Sequence, residues 1–187
     1  MATSTYNPDD TNCAAQEGGD GAAPPGSLGG WIDGAFSGGE LTTVSTDDVN
    51  NVNDLESGSG GQVHRFDFTI VEAEGDVSQI DFLWKGYANK GAPPPDLHWG
   101  SRMYIWDDNG STWVHLTTGA ASSKETLNGQ RTTNIANYIN GSSVIYFCIT
   151  ADADTPTTMS NVWSYYAECV ITYSPAVPVD IFFGVNL

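Results

Sequence analysis

Apolar and polar residues alternate through the second two-thirds of this chain. In Gln62-Val63-His64-Arg65-Phe66-Asp67-Phe68-Thr69-Ile70-Val71, His64, Phe66, Phe68 and Ile70 fall on one side. Arg65, Asp67 and Thr69 fall on the other. A period of two marks a half-buried strand, because successive side chains leave the pleated backbone in opposite directions. Ile80, Phe82 and Trp84 repeat the pattern. Residues 103–106 and 112–116 flank Asp107-Asp108-Asn109-Gly110. That arrangement predicts a hairpin in which Asn-Gly supplies the positive φ angles of a tight turn. Residues 144–150 and 165–173 are β-branched and aromatic runs, expected as buried strands. Residues 178–185 predict a last short strand in which Ile181, Phe182 and Phe183 are contiguous. Being apolar on both faces, it needs cover from the chain itself or from a neighbouring subunit. Helical spacing occurs at Ile135, Tyr138 and Ile139, before Asn140-Gly141, and predicts one turn or a bent loop.

Seven or eight short strands with turn signals between them predict an all-β protein: a two-sheet antiparallel β-sandwich, jelly-roll-like. The sandwich is expected over residues 31–187. Before it, residues 1–30 read as an extended Gly/Pro-rich arm, including Gly18-Gly19-Asp20-Gly21-Ala22-Ala23-Pro24-Pro25-Gly26. A length of 187 residues suits one domain with a sizeable core.

Charge narrows the range of partners. Six Lys plus Arg face 23 Asp plus Glu, a net charge of −17. Nucleic-acid binding needs clustered cations to displace condensed counterions, so that class is excluded, and adhesion to an anionic membrane is disfavoured likewise. Residues 1–60 carry ten acids and no Lys or Arg. The acids are read either as a solvating surface or as Ca²⁺ ligands. No apolar run approaches the length of a transmembrane helix. The opening Met-Ala-Thr-Ser-Thr-Tyr lacks the basic and apolar regions of a signal peptide, so none is expected.

The candidate chemistry is thin. His64, His98 and His115 are far apart in sequence, the acids are mostly Asp in turn segments, and no Gly-x-Ser-x-Gly elbow exists. No catalytic residue is assigned, and no cofactor is expected apart from Ca²⁺. For Ca²⁺ the candidate ligands are Asp107 with Asn109, and Asp152 with Asp154 in the loop after a strand. If the strands of Cys148 and Cys169 formed a hairpin, a disulfide between them would be geometrically allowed; the alternative is two buried free thiols. Asn109-Gly110-Ser111 and Asn140-Gly141-Ser142 match the N-glycosylation pattern, but Asn-Gly is also a common turn dipeptide. The aromatics stand out: Trp31, Trp84, Trp99, Trp106, Trp113 and Trp163, with Tyr87, Tyr104, Tyr165 and Tyr166, exceed what the core requires. Exposed ring faces stack on sugars, so Trp99, Tyr87, Trp106 and Trp113 are candidate ligand-binding residues. The alternative is core packing or a subunit contact.

The succession Phe66-Asp67-Phe68, residues 80–86, residues 104–113, Ile139-Asn140-Gly141-Ser142 and residues 166–170 resembles jelly-roll modules of prokaryotic surface proteins. Sandwiches of tailed-phage decoration and fibre proteins are similar. The resemblance covers residues 60–175 and implies two function classes. One is a non-enzymatic assembly subunit of a virion or surface filament, homo-oligomeric or built into a lattice. The other is a carbohydrate-binding sandwich of an extracellular or cell-surface protein, with or without structural calcium.

Overall fold

A computed structural model describes residues 1–9, 11–19, 24–30, 32, 34–53, 62–90, 98–151 and 160–175. These form eleven strands: β1 (Ala2–Tyr6), β2 (Cys13–Gly18), β3 (Gly34–Ala35), β4 (Val63–Thr69), β5 (Val77–Lys90), β6 (His98–Trp99), β7 (Ser101–Asp107), β8 (Thr112–Thr118), β9 (Glu125–Arg131), β10 (Val144–Ala151) and β11 (Ser160–Tyr173). One sheet runs β1-β11-β5-β6, with β9 also paired to β5. The other runs β3-β2-β4-β10-β7-β8. All pairings are antiparallel. The expected β-sandwich is therefore the fold.

The core lies between the inner faces of the sheets. Phe66 and Phe147 are cross-strand partners in the second sheet, and the Phe82 ring from the first stacks on Phe147 at 4.1 Å and 15°. Phe68 closes the group at 5.9 Å from Phe82 and 6.2 Å from Phe147. All four rings are buried, as are Ile80, Trp84, Ile145, Ile149 and Ile171. Burying side chains of this size contributes about 1.5–3 kcal/mol each, which makes this interlock the main source of stability.

The N-terminal segment is extended, but it is not an appendage. Strand β1 pairs with β11 from Ala2↔Tyr173 to Tyr6↔Cys169, and β2 pairs with β4 from Cys13↔Phe68 to Gly18↔Val63. Tyr6 is buried, donates to Glu72 and accepts from the Val71 amide at 3.0 Å. The expected boundary at residue 30 therefore falls inside the sandwich. Glycine and proline dominated the reading of this segment, whereas the short polar strands between them are held by backbone pairing at the sheets' margins.

One open alternative is decided, one expectation needs correction, and one element was not anticipated. Cys148 and Cys169 are free and lie in different sheets, so no hairpin joins them. Cys169 faces the inter-sheet core, while Cys148 packs with Val63, Tyr104, Trp106 and Trp113 on the outer face of the second sheet. Burial pushes both thiols well above their usual pKa. In the β7–β8 hairpin, positive φ falls at Ser111 (49°), not at Asn109-Gly110, because the loop spans four residues rather than two. An unforeseen helix, α1 (Gly38–Ser45), begins with a capping box: Ser37 Oγ accepts from the Glu40 amide, and the Glu40 carboxylate accepts from the Ser37 amide. The single turn expected near Ile135 is a 3₁₀ turn at Ile135–Tyr138. The predicted last strand, residues 178–185, and Trp31 lie outside the described residues.

A buried polar bridge also joins the sheets. Ser164 Oγ on β11 accepts from Trp84 Nε1 of β5 at 2.8 Å and stands 2.8 Å from His64 Nδ1 of β4. His64 is fully buried, and burial lowers its pKa from 6.5 to about 3. The folded protein keeps this ring neutral while the unfolded chain protonates it below pH 6.5. Stability contributed by His64 is therefore present above pH 6.5 and lost as pH falls toward 3, at up to about 1.4 kcal/mol per pH unit. Urea unfolding across pH 4–7 should show this slope, and His64→Asn should flatten it.

Candidate functional site

Strands β5 and β11 are the longest of the described residues, at 14 each, and share a register that shifts twice, at Thr172/Tyr173 near the end of β11 and at a bulge between Ser164 and Tyr166. Trp163 pairs with Tyr87 and Ser164 with Gly86, but the next pair is Tyr166 with Lys85. Tyr165 is the extra residue. Ser164 and Ala167 consequently both point inward, while Trp163, Tyr165 and Tyr166 are all half-buried at the surface. A regular strand would turn one of those three rings into the core, so the bulge is what gathers them outside.

Four contacts hold the bulge. Besides its two side-chain partners, Ser164 exchanges both backbone hydrogen bonds with Val52, at 2.8 and 3.0 Å. Gly86, facing Ser164 across the ladder, leaves room for the Trp84 indole to reach the Ser164 hydroxyl. A Cβ at Gly86 would lie 2.1 Å from Trp84 Cζ2 and 2.2 Å from the Trp163 carbonyl oxygen.

On the outer face the rings form a row across three neighbouring strands. Trp163 of β11 stacks on Tyr87 of β5 at 4.6 Å and 15°. Trp99 of β6 lies on the other side, 5.9 Å from Tyr87 and tilted by 53°. Tyr165 stands 6.1 Å from Tyr87. Burial, and then the neighbouring Tyr165 hydroxyl, raise the Tyr87 pKa above its usual range. The Lys124 ammonium sits 5.0 Å from the Tyr165 ring centre, and Lys85 sits 5.4 Å from that of Tyr166. Both lysines pair with one carboxylate, Asp47, in the segment after α1. Lys124 also donates to the Asp48 carbonyl at 2.8 Å. These two ammonium groups hold the Asp47 pKa below the usual range.

Of the four aromatic residues expected from sequence, the structure brings together Tyr87 and Trp99. Trp106 and Trp113 lie on the other sheet, packed on each other at 5.3 Å and only 6% and 8% exposed. They close the second apolar cluster around Cys148 and have no free face for a ligand. The site residues that went unassigned are Trp163 and Tyr165. Their spacing two apart was visible, but the bulge that keeps Tyr166 beside them was not.

The cation candidates separate as well. Asp107 Oδ1 accepts from the Gly110 amide at 2.7 Å, closing the hairpin loop, and Asn109 is exposed. Asp152 and Asp154 lie outside the described residues. Among the described residues, no three His, Cys, Asp or Glu side chains gather as a metal site would require. Asn140 of the second glycosylation pattern is engaged: its Oδ1 accepts from the Ser142 and Val144 amides, and its Nδ2 donates to the Tyr146 hydroxyl.

The fold and this row of rings define a β-sandwich with an aromatic surface on one sheet. Residues 33–173 match the family AF_1625_C, described as "Uncharacterized protein, C-terminal domain", and the chain belongs to that family. No curated protein matches it. Among solved structures, it is similar to a xylan-binding module, CBM15, with 10% identity and a TM-score of 0.45 over 94% of this chain and 99% of that one. It is also similar to the CBM22-1 xylan-binding domain from Paenibacillus barcinonensis Xyn10C, with 10% identity and a TM-score of 0.35 over 92% and 95%. A third is the K1 cleaved adhesin domain of Lys-gingipain from Porphyromonas gingivalis, with 6% identity and a TM-score of 0.39 over 94% and 100%.

Gly86→Ala tests the support beneath the row. The added methyl meets an indole and a backbone oxygen, neither of which has room to retreat. It should destabilise the protein by about 1–3 kcal/mol. Urea unfolding reads that loss, and the near-UV circular dichroism of the Tyr87–Trp163 pair should weaken in the folded protein.

Proposed function

We propose that this chain is a non-catalytic carbohydrate-binding module whose outer β11-β5-β6 face holds a polysaccharide. The observation that carries this reading is the row Trp163-Tyr87-Trp99 with Tyr165 beside it: four half-exposed rings gathered on one sheet face, while Trp84, Trp106 and Trp113 are buried. Sugar rings present axial C–H groups that pack on aromatic faces, and their hydroxyls stay solvated at the rim. A patch of amphipathic rings on rigid strands provides such contacts with little ordering cost. An extracellular or cell-surface location follows from such a ligand. No described helix is long and apolar enough to cross a membrane.

The first of the two function classes expected from sequence, a virion or filament subunit, would use the Gly/Pro-rich N-terminal arm as a contact with a neighbour, although the arm needs only some partner to hold it, the domain itself included. Strands β1 and β2 satisfy that need within the chain. The other support for it, the apolar segment at residues 178–185, lies outside the described residues.

Affinity electrophoresis against a panel of xylans, glucans and mannans tests the proposal. At least one polymer should retard the protein. Trp99→Ala and Trp163→Ala should each weaken that binding tenfold or more, about 1.4 kcal/mol. The same variants should lower Tm by only a few degrees, because the rings are half-exposed. Wild-type mobility unchanged by every polymer, or both variants binding normally, would sink the proposal.

A further inference from the structure

The ring row has charged neighbours whose arrangement bears on the kind of polymer it accepts. Lys85 and Lys124 are the cations seated over rings of this face, on Tyr166 and Tyr165. In a chain with six cations and 23 acids, these two are cations seated directly against the rings and could attract an anionic ligand there. Neither is free to do so. Asp47 Oδ1 accepts from Lys124 Nζ at 2.8 Å, and Asp47 Oδ2 accepts from Lys85 Nζ. The Asp48 carbonyl takes a second Lys124 proton. One carboxylate thus spans both ammonium groups, and Asp48 adds a further negative charge beside them.

We infer that Asp47 fixes the charge class of the ligand: by engaging Lys85 and Lys124 together, it makes the aromatic face selective for a neutral polysaccharide over a polyuronate. This inference rests on the proposed carbohydrate-binding role of the face. Stacking on Trp163 and Trp99 does not depend on the ligand's charge, so a neutral glycan gains it in full. A polyuronate gains the same contacts but approaches a chain of net charge −17. It finds the two lysines already sharing the Asp47 carboxylate, and repulsion between like charges opposes its approach. Specificity here comes from withholding an attraction as much as from offering a contact. Asp47 is a positioning residue in this scheme, acting through the two lysines it holds.

Isothermal titration of the full chain with xylan, mannan, β-glucan and polygalacturonate, at about 20 and 500 mM NaCl, tests this. Wild type should bind a neutral polymer with less than about a twofold change in Kd between the two salts, and polygalacturonate at least tenfold more weakly at low salt. Asp47→Asn removes the shared carboxylate and should shift the ratio of the two affinities at least tenfold toward polygalacturonate. That gain should vanish at high salt and in the double variant Asp47→Asn/Lys124→Gln. Wild type preferring polygalacturonate would overturn the inference and leave the carbohydrate-binding role standing, as would an unchanged ratio in a folded Asp47→Asn protein. Binding to no polymer at either salt would overturn both. If Asp47→Asn fails to fold, the wild-type preference and its salt dependence decide alone.

Discussion

The packing of Phe82 against Phe147, with Phe66 and Phe68 around them, is the contact on which the rest of this molecule depends. Neither sheet can keep its inner face in water, and the interleaved rings fix both the separation and the alignment of the two layers. Once that alignment is set, His64 on one sheet comes opposite Ser164 on the other. The polar bridge is a product of the apolar interlock. A hydroxyl can be buried there because two partners await it, and those partners are in place because the phenylalanine rings hold the sheets in register.

The surface inherits this order. Ser164 faces inward because Trp84, His64 and Val52 hold it there. The bulge beside it therefore lies where the aromatic residues of β11 are densest. Gly86 contributes by having no side chain. The aromatic face is thus an outward expression of a core arrangement. Its rings are positioned from below by buried groups and fixed from the side by lysines that share one aspartate.

Much of the fold was legible because a period of two is a strong signal. His64, Phe66, Phe68 and Ile70, and then Ile80, Phe82 and Trp84, were assigned to inner faces, and all are buried. The first 53 residues were harder to read. Strands β1 and β2 are short and polar, and α1 begins with two glycines, so propensity pointed away from structures that pairing and a capping box supply. The Ser37-x-x-Glu40 signal was present but was overshadowed by Gly38-Gly39. At the site, Tyr87 and Trp99 were legible as aromatics in excess of what the core requires. Trp106 and Trp113 were misjudged because alternation says which face a residue takes, not whether that face is covered. Here a segment that includes Leu28 packs over it. For Cys148 and Cys169 the alternative of two buried free thiols holds: strands consecutive in sequence are often neighbours, but here the chain changes sheets between them, so no hairpin brings the thiols together.

The pairing of Ala2 with Tyr173 has a mechanical consequence. Two points at opposite ends of the described chain lie side by side, at the end of β11 far from Trp163. Ten residues of strand, roughly 33 Å, separate that corner from the aromatic face. Tension applied at residues 2 and 173 loads the β1–β11 ladder one rung at a time, as a zipper is opened, rather than shearing all its rungs together. A body pulled in that way swings from one corner. It yields first at β1, while the face at the other end keeps its shape.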